Sequence, residues 1–193
     1  MRRVVRLILA SNSPRRRELL KNAGFEFDVH PSGIEEVRFL GESPEDFARR
    51  LARDKALDVA SRSAAGSIVL GADTVVAING EILEKPSDAA DAARMLRTLS
   101  GRTHRVITGI CLVRAPGSIL AWTYETTSVT FKELSDEEIE DYVRSGEPFD
   151  KAGGYAIQGL ASKFVPRIEG CYFNVVGLPV PRVYEILKSV EEN

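Results

Sequence analysis

Ser11-Asn12-Ser13-Pro14-Arg15-Arg16-Arg17 sets three consecutive arginines at the opening of a predicted helix, where the backbone dipole already presents positive charge. Without an anion the arrangement is unfavourable. A loop entering a helix N-terminus also offers unpaired backbone N–H groups, so amides and guanidinium forks together suit phosphate oxygens. A solvated basic run on a surface helix is the plainer alternative. Two further ionisable residues fall in costly places. Lys55 lies on an apolar helical stripe, four residues after Leu51 and four before Val59, where its ammonium must snorkel or meet an anion. Asp73 interrupts the apolar run Ile68 to Ile78, and a carboxylate buried there needs a cation, a metal or hydrogen-bond donors. Gly71 just before it leaves open a turn between two shorter strands. The cations near loops or apolar surfaces are Arg15, Arg16, Lys55, Lys85 and Lys151, and the acids are Glu35, Glu36, Asp73 and Glu84. Triphosphate chemistry needs both signs: cations neutralise phosphoryl oxygens, while carboxylates hold a divalent ion or position an attacking water.

The elements that must carry these residues are legible from caps, turns and periodicity. Val4 to Ala10 reads as a buried strand leading through a tight loop into the arginine helix, with Ser13 as cap and Pro14 at the first helical position. Ser43-Pro44-Glu45-Asp46 opens a helix running to about Ser61. The β-branched run Ile68 to Ile78 and the turn Asn79-Gly80 predict a strand and hairpin. A third helix spans Ala89 to Leu99 with Ser87 as its expected cap, and strands are expected over Thr103 to Val113 and Ile119 to Phe131. Ser135-Asp136-Glu137-Glu138 is a capping box, Asp150 to Gly154 is a glycine-rich loop, and an amphipathic helix from about Pro181 to Val190 closes the chain. Interleaved strands and helices indicate an α/β fold with a mixed sheet, and with no repeat or linker the simplest organisation is one domain over residues 1–193.

Composition narrows the function classes. The 193 residues, 44% of them hydrophobic, suffice for a substantial core. A formal charge of −2 supplies no global attraction for nucleic acid or anionic membrane, which favours a small phosphorylated ligand bound by local clusters. Cys111 and Cys171 are too few for a disulfide framework, and a reducing cytoplasm is the default expectation. Arg2 and Arg3 ahead of apolar residues imitate a secretion signal, but Arg6 interrupts a run shorter than the usual ~7–15 residues. No stretch approaches the ~20 apolar residues of a membrane span. No Walker-type phosphate loop and no kinase signature set is present.

Taken in order, Ser11 to Arg16 with Glu18-Leu19-Leu20, Gly33-Ile34-Glu35-Glu36, Ala52-Arg53-Asp54-Lys55-Ala56, Gly71-Ala72-Asp73-Thr74, Glu84-Lys85-Pro86, Gly101-Arg102-Thr103-His104 and Asp150 to Gly159 resemble the Maf family of nucleoside triphosphate pyrophosphatases. The similarity extends to Asn174-Val175-Val176-Gly177-Leu178-Pro179, and the forms Gly154 to Gly159 and Glu84-Lys85-Pro86 are similar to the dTTP/UTP branch. Cys171 departs from the small polar residue expected there. The resemblance implies a long curved mixed sheet flanked by helices, with two lobes around a central cleft, as in inosine triphosphate pyrophosphatase-like folds. It implies hydrolysis of dTTP and UTP to monophosphate and pyrophosphate with Mg2+ or Mn2+. Asp73 then matches the proton acceptor, and Arg15, Thr74 and Gln158 match base-specificity positions. Glu36, Lys55 and Lys85 match other functional positions. Chemically, Glu36 and Asp73 suit a hard metal ion, Lys55 and Lys85 suit the triphosphate, and Ser11 and Arg16 are added as substrate contacts. Gln158 carries a donor and an acceptor on one amide, complementary to the N3–H and O4 edge shared by uracil and thymine. His104 and Tyr155 are read as structural neighbours. A nucleotide-binding regulator of cell division or septum formation and the 7-methyl-GTP branch are the alternatives, and a homodimer is left open.

Overall fold

Leu7–Leu9, three buried apolar residues, form β1, and the chain then turns at Ser11 into α1 (Pro14–Asn22), whose Ser13 cap accepts a hydrogen bond from the Arg16 N–H. The computed structural model describes residues 6–191, so the expected strand start at Val4 and the signal-like Arg2 and Arg3 lie outside the described residues. Phe27–Val29 forms β2, and α2 (Pro44–Ser61) begins at the predicted Ser43 cap. β3 (Ile68–Ile78) is one continuous strand, so Gly71 does not divide it. A tight turn at Asn79, with φ of 53°, and Gly80 leads to β4 (Glu81–Leu83). For α3 (Ala89–Leu99) the cap is Asp88, not Ser87: the Asp88 carboxylate accepts from the Asp91 N–H at 2.8 Å, while Ser87 donates its own N–H to the Asp91 side chain. β5 (Thr103–Arg114), β6 (Ser118–Thr130) and α4 (Asp136–Arg144) follow, the last with both bonds of its capping box made. The glycine-rich segment forms short 3-10 turns at Glu147–Asp150, Ala152–Gly154 and Leu160–Phe164. The chain ends with β7 (Arg167–Glu169), α5 (Tyr172–Val176) and α6 (Val180–Glu191).

The seven strands make one mixed sheet in the order β2-β1-β3-β5-β6-β7, with β4 also paired to β3. β1 runs parallel to both β2 and β3, while β4 on β3 and β7 on β6 are antiparallel. Residues 68–70 of β3 pair with β1 and residues 76–78 pair with β4, so Asp73 occupies the stretch between the two pairings.

The chain divides into two compact units, Met1–Asp73 with Thr108–Glu125 and Gly177–Asn193, and Thr74–Ile107 with Thr126–Val176. The first unit packs Ile8, Val69, Cys111 and Val113 against Ala52, Ala56, Val59 and Ala60. Alanines at 48, 52, 56 and 60 give α2 a smooth face, and a Cβ on Gly71 or Gly109 would stand 2.1 Å from the Ala52 or Ala48 carbonyl oxygen. Both glycines are therefore required by direct contact between helix backbone and sheet. The second unit has its own core, built on Leu96, Leu99, Phe131, Ile139, Tyr142, Tyr155 and Phe164.

Candidate active site

Strand order places the first cluster. β1 leads through α1 to β2 on one side, and the chain crosses over through α2 to β3 on the other, so β1 marks a switch point of the parallel strands. In open α/β sheets ligands bind outside the carboxyl ends of strands at such a point. Ser11, Arg15 and Arg16 follow the carboxyl end of β1, and Asp73 follows the β3 residues paired with it.

α2 brings Lys55 to this position. Its ammonium is buried and donates to Asp73 Oδ1 at 2.6 Å and to Glu36 Oε1 at 2.5 Å. The lysine thus meets anions instead of snorkelling. Asp73 is itself buried, whereas the Glu36 side chain is 54% exposed. Burial pushes the Asp73 carboxyl above its ordinary range, against the pull of Lys55 and Arg16. A carboxylate with a raised pKa is a better proton acceptor than an exposed one.

Arg16, expected as a phosphate contact, is also tied to the protein's own acceptors. Its guanidinium is buried, with Nε donating to the Gly177 carbonyl at 2.9 Å and Nη1 donating to Ser11 Oγ at 3.1 Å and the Ala72 carbonyl at 2.9 Å. The loop after β1, the strand β3 and the turn before α6 converge on it because it satisfies three acceptors at once. Ser11 Oγ also accepts the Ser13 N–H at 3.2 Å, so this hydroxyl shapes the loop. Arg15 is half-buried beside it.

Arg50 is a contributor that the sequence reading missed. From α2 it grips Glu42 with Nε at 2.7 Å and Nη2 at 2.8 Å, donates to the Val37 carbonyl at 2.8 Å, and stacks 3.9 Å from the Phe39 ring centre. These contacts hold the irregular segment that follows Glu36, and they keep the Glu42 carboxyl below its usual range. Glu42 lies before the start of α2 and Arg50 within it, so no helical spacing announces the pair.

The second unit carries Thr74, Lys85 and Gln158. Thr74 is half-buried next to Asp73 along β3, while Lys85 and Gln158 are exposed. The backbone carbonyl of Glu84, preceding Lys85, accepts the Gly153 N–H at 3.0 Å. Gly153 has φ of 70°, and a Cβ there would lie 2.8 Å from Val76. Lys151 donates to the Glu147 carbonyl and to Asp150, which ties it to its own loop. His104, buried, pairs through Nε2 with the Tyr155 hydroxyl at 2.7 Å, and Phe131 packs edge-on against both rings. Burial pulls the His104 imidazole down to about 4 and pushes the Tyr155 phenol up.

The family model for Maf-like proteins matches residues 6–190. The chain belongs to the Maf family. This Maf chain is 56% identical over 182 residues to the dTTP/UTP pyrophosphatase of Koribacter versatilis, covering 94% of the chain and 93% of that protein. The dTTP/UTP pyrophosphatase of Geobacter sulfurreducens is 54% identical over 185 residues, with 96% of each chain covered. That of Vibrio cholerae is 50% identical over 184 residues, covering 95% of this chain and 97% of its own. A HAM1 protein from Coxiella burnetii, at 14% identity and a TM-score of 0.48 over 66% of this chain and 73% of that one, adds nothing to the assignment. The resemblance carried by the ordered motifs is borne out.

Metal-binding capacity in the Maf chain rests on donor chemistry. Among the described residues no three His, Cys, Asp or Glu side chains converge. Glu36 and Asp73, both on the Lys55 ammonium, nevertheless offer a pair of hard oxygen donors. Mg2+ and Mn2+ take one or two protein carboxylates with waters and phosphate oxygens, so these residues fit. No helix among the described residues is long and apolar enough to cross a membrane.

Proposed function

We propose that this Maf protein is a nucleoside triphosphate pyrophosphatase that hydrolyses dTTP and UTP to the monophosphate and pyrophosphate. The observation that carries the reading is the buried Asp73 carboxylate, raised in pKa and held with Glu36 on one lysine beyond the ends of parallel strands. The names borne by relatives at 50–56% identity supply the nucleotide. In the reaction, water attacks the α-phosphorus as its proton passes to Asp73, a P–O bond forms, and the α–β phosphoanhydride bond breaks with pyrophosphate leaving. Lys55 steadies Asp73 and, with Lys85 and Arg15, meets phosphate charge. Arg16 and Ser11 hold the loop that presents these groups. Gln158 reads the N3–H and O4 edge of the base, with Thr74 as a second polar contact. Glu36 would hold Mg2+ or Mn2+, which when bound would neutralise phosphate oxygens, and Asp73 would be a ligand in place of its role as proton acceptor, not in addition to it. One catalytic domain acting in the cytoplasm on free nucleotides, not on nucleic acid or membranes, agrees with the −2 charge.

Turnover of dTTP, UTP, CTP, GTP and 7-methyl-GTP with Mg2+ or Mn2+, resolving pyrophosphate from orthophosphate, tests this reading. The expected result is monophosphate plus pyrophosphate from dTTP and UTP. Preference for 7-methyl-GTP would move the protein to the other branch, and saturable binding without turnover would make it a regulator.

A further inference from the structure

Gln158 is exposed, and no protein group among the described residues holds its amide, yet the backbone before it is tied to a buried pair and the backbone after it to half-buried Glu147. Three residues earlier, the Tyr155 hydroxyl meets His104 Nε2 at 2.7 Å inside the second core. Two residues later, the Leu160 N–H donates to Glu147 Oε2 at 2.9 Å. The other oxygen of Glu147 accepts the hydroxyl of buried Tyr142 at 2.9 Å, which orients the carboxylate. Gly159 lies directly against this carboxylate, and a Cβ there would stand 2.2 Å from Glu147 Oε1. Between the anchors the Gly159 N–H closes a turn onto the Ala156 carbonyl at 3.1 Å.

We infer that Glu147 and the Tyr155–His104 pair are positioning residues for base selection, fixing the turn that aims the Gln158 amide at the substrate's base. An amide recognises uracil or thymine only while its donor and acceptor point the right way, since rotated by half a turn it matches cytosine. A side chain on a slack loop samples both presentations. The two anchors convert a flexible amide into a selective one, because discrimination depends on a preorganised support. The inference rests on Gln158 being the base reader, and its test separates the two.

The experiment measures kcat/KM for UTP and for CTP in the wild type, Glu147→Gln, Tyr155→Phe, Gln158→Ala and the double variant Glu147→Gln/Gln158→Ala. Circular dichroism confirms that each is folded. Glu147→Gln keeps the shape but loses one acceptor, and Tyr155→Phe removes a single oxygen. Either single anchor variant is expected to lower the UTP:CTP ratio about tenfold, and Glu147→Gln is expected to change nothing further once Gln158 is alanine. A uniform fall on both substrates with the ratio preserved makes the anchors purely structural and overturns the inference while Gln158 remains the reader. If Gln158→Ala leaves the ratio at its wild-type value, the reader assignment fails and the inference falls with it.

Discussion

Lys55 illustrates how one buried charge constrains its neighbours. Its ammonium joins a buried carboxylate to an exposed one, and removing it would leave Asp73 buried without its nearest cation. Lys55→Met should therefore cost about 3–5 kcal/mol in stability, read from the urea midpoint. Asp73→Asn should keep nucleotide affinity by calorimetry but lower kcat by roughly 10²–10⁴, the span of general-base contributions. Because burial raises the Asp73 pKa, kcat/KM should fall on acidification at a pH above the usual carboxylate range, and the asparagine variant should lack that limb. Both residues were legible in the sequence because each breaks an apolar pattern. Arg16 was legible as a candidate, but its protein acceptors, among them the Ala72 and Gly177 carbonyls and Ser11, were not, because main-chain acceptors distant along the chain leave no mark in composition or spacing.

The pairing of α2 with β3 delivers Lys55 to Asp73, and glycine at 71 makes that pairing close. Gly71→Ala would drive a methyl group into the Ala52 carbonyl, a backbone atom that cannot turn aside. We expect a loss of about 1–3 kcal/mol or more by thermal denaturation, together with lowered kcat as helix and strand separate. The helix was legible from its Ser43-Pro44 start and apolar stripe, and β3 matched its predicted limits residue for residue. Gly71 was read as a sign of backbone irregularity, but its cause is the helix lying across the strand, a tertiary contact. At α3 the sequence pointed to Ser87 as the cap, whereas the adjacent Asp88, with its extended backbone, caps the helix.

Acid should weaken the molecule through His104. Its pKa drops from 6.5 in the unfolded chain to about 4 in the fold, so the unfolded state binds more protons between those values. The full contribution is present above pH 6.5 and declines as pH falls toward 4, amounting to about 2 kcal/mol lost by pH 5. Urea titrations of the wild type at pH 7 and 5 should show this loss, and His104→Gln should flatten the difference. The borders of the two units were not legible, since no linker or composition break accompanies them. The chain passes between the units at 73–74, 107–108, 125–126 and 176–177, and three of those crossings fall inside β3, β5 and β6. Domain borders ordinarily fall in exposed linkers, where a gene can be cut and rejoined. Here no contiguous stretch of gene encodes either unit, so exchange of a single gene segment cannot replace one unit while keeping the other. Change confined to either unit must therefore come by substitutions scattered along the gene, not by replacement of a block.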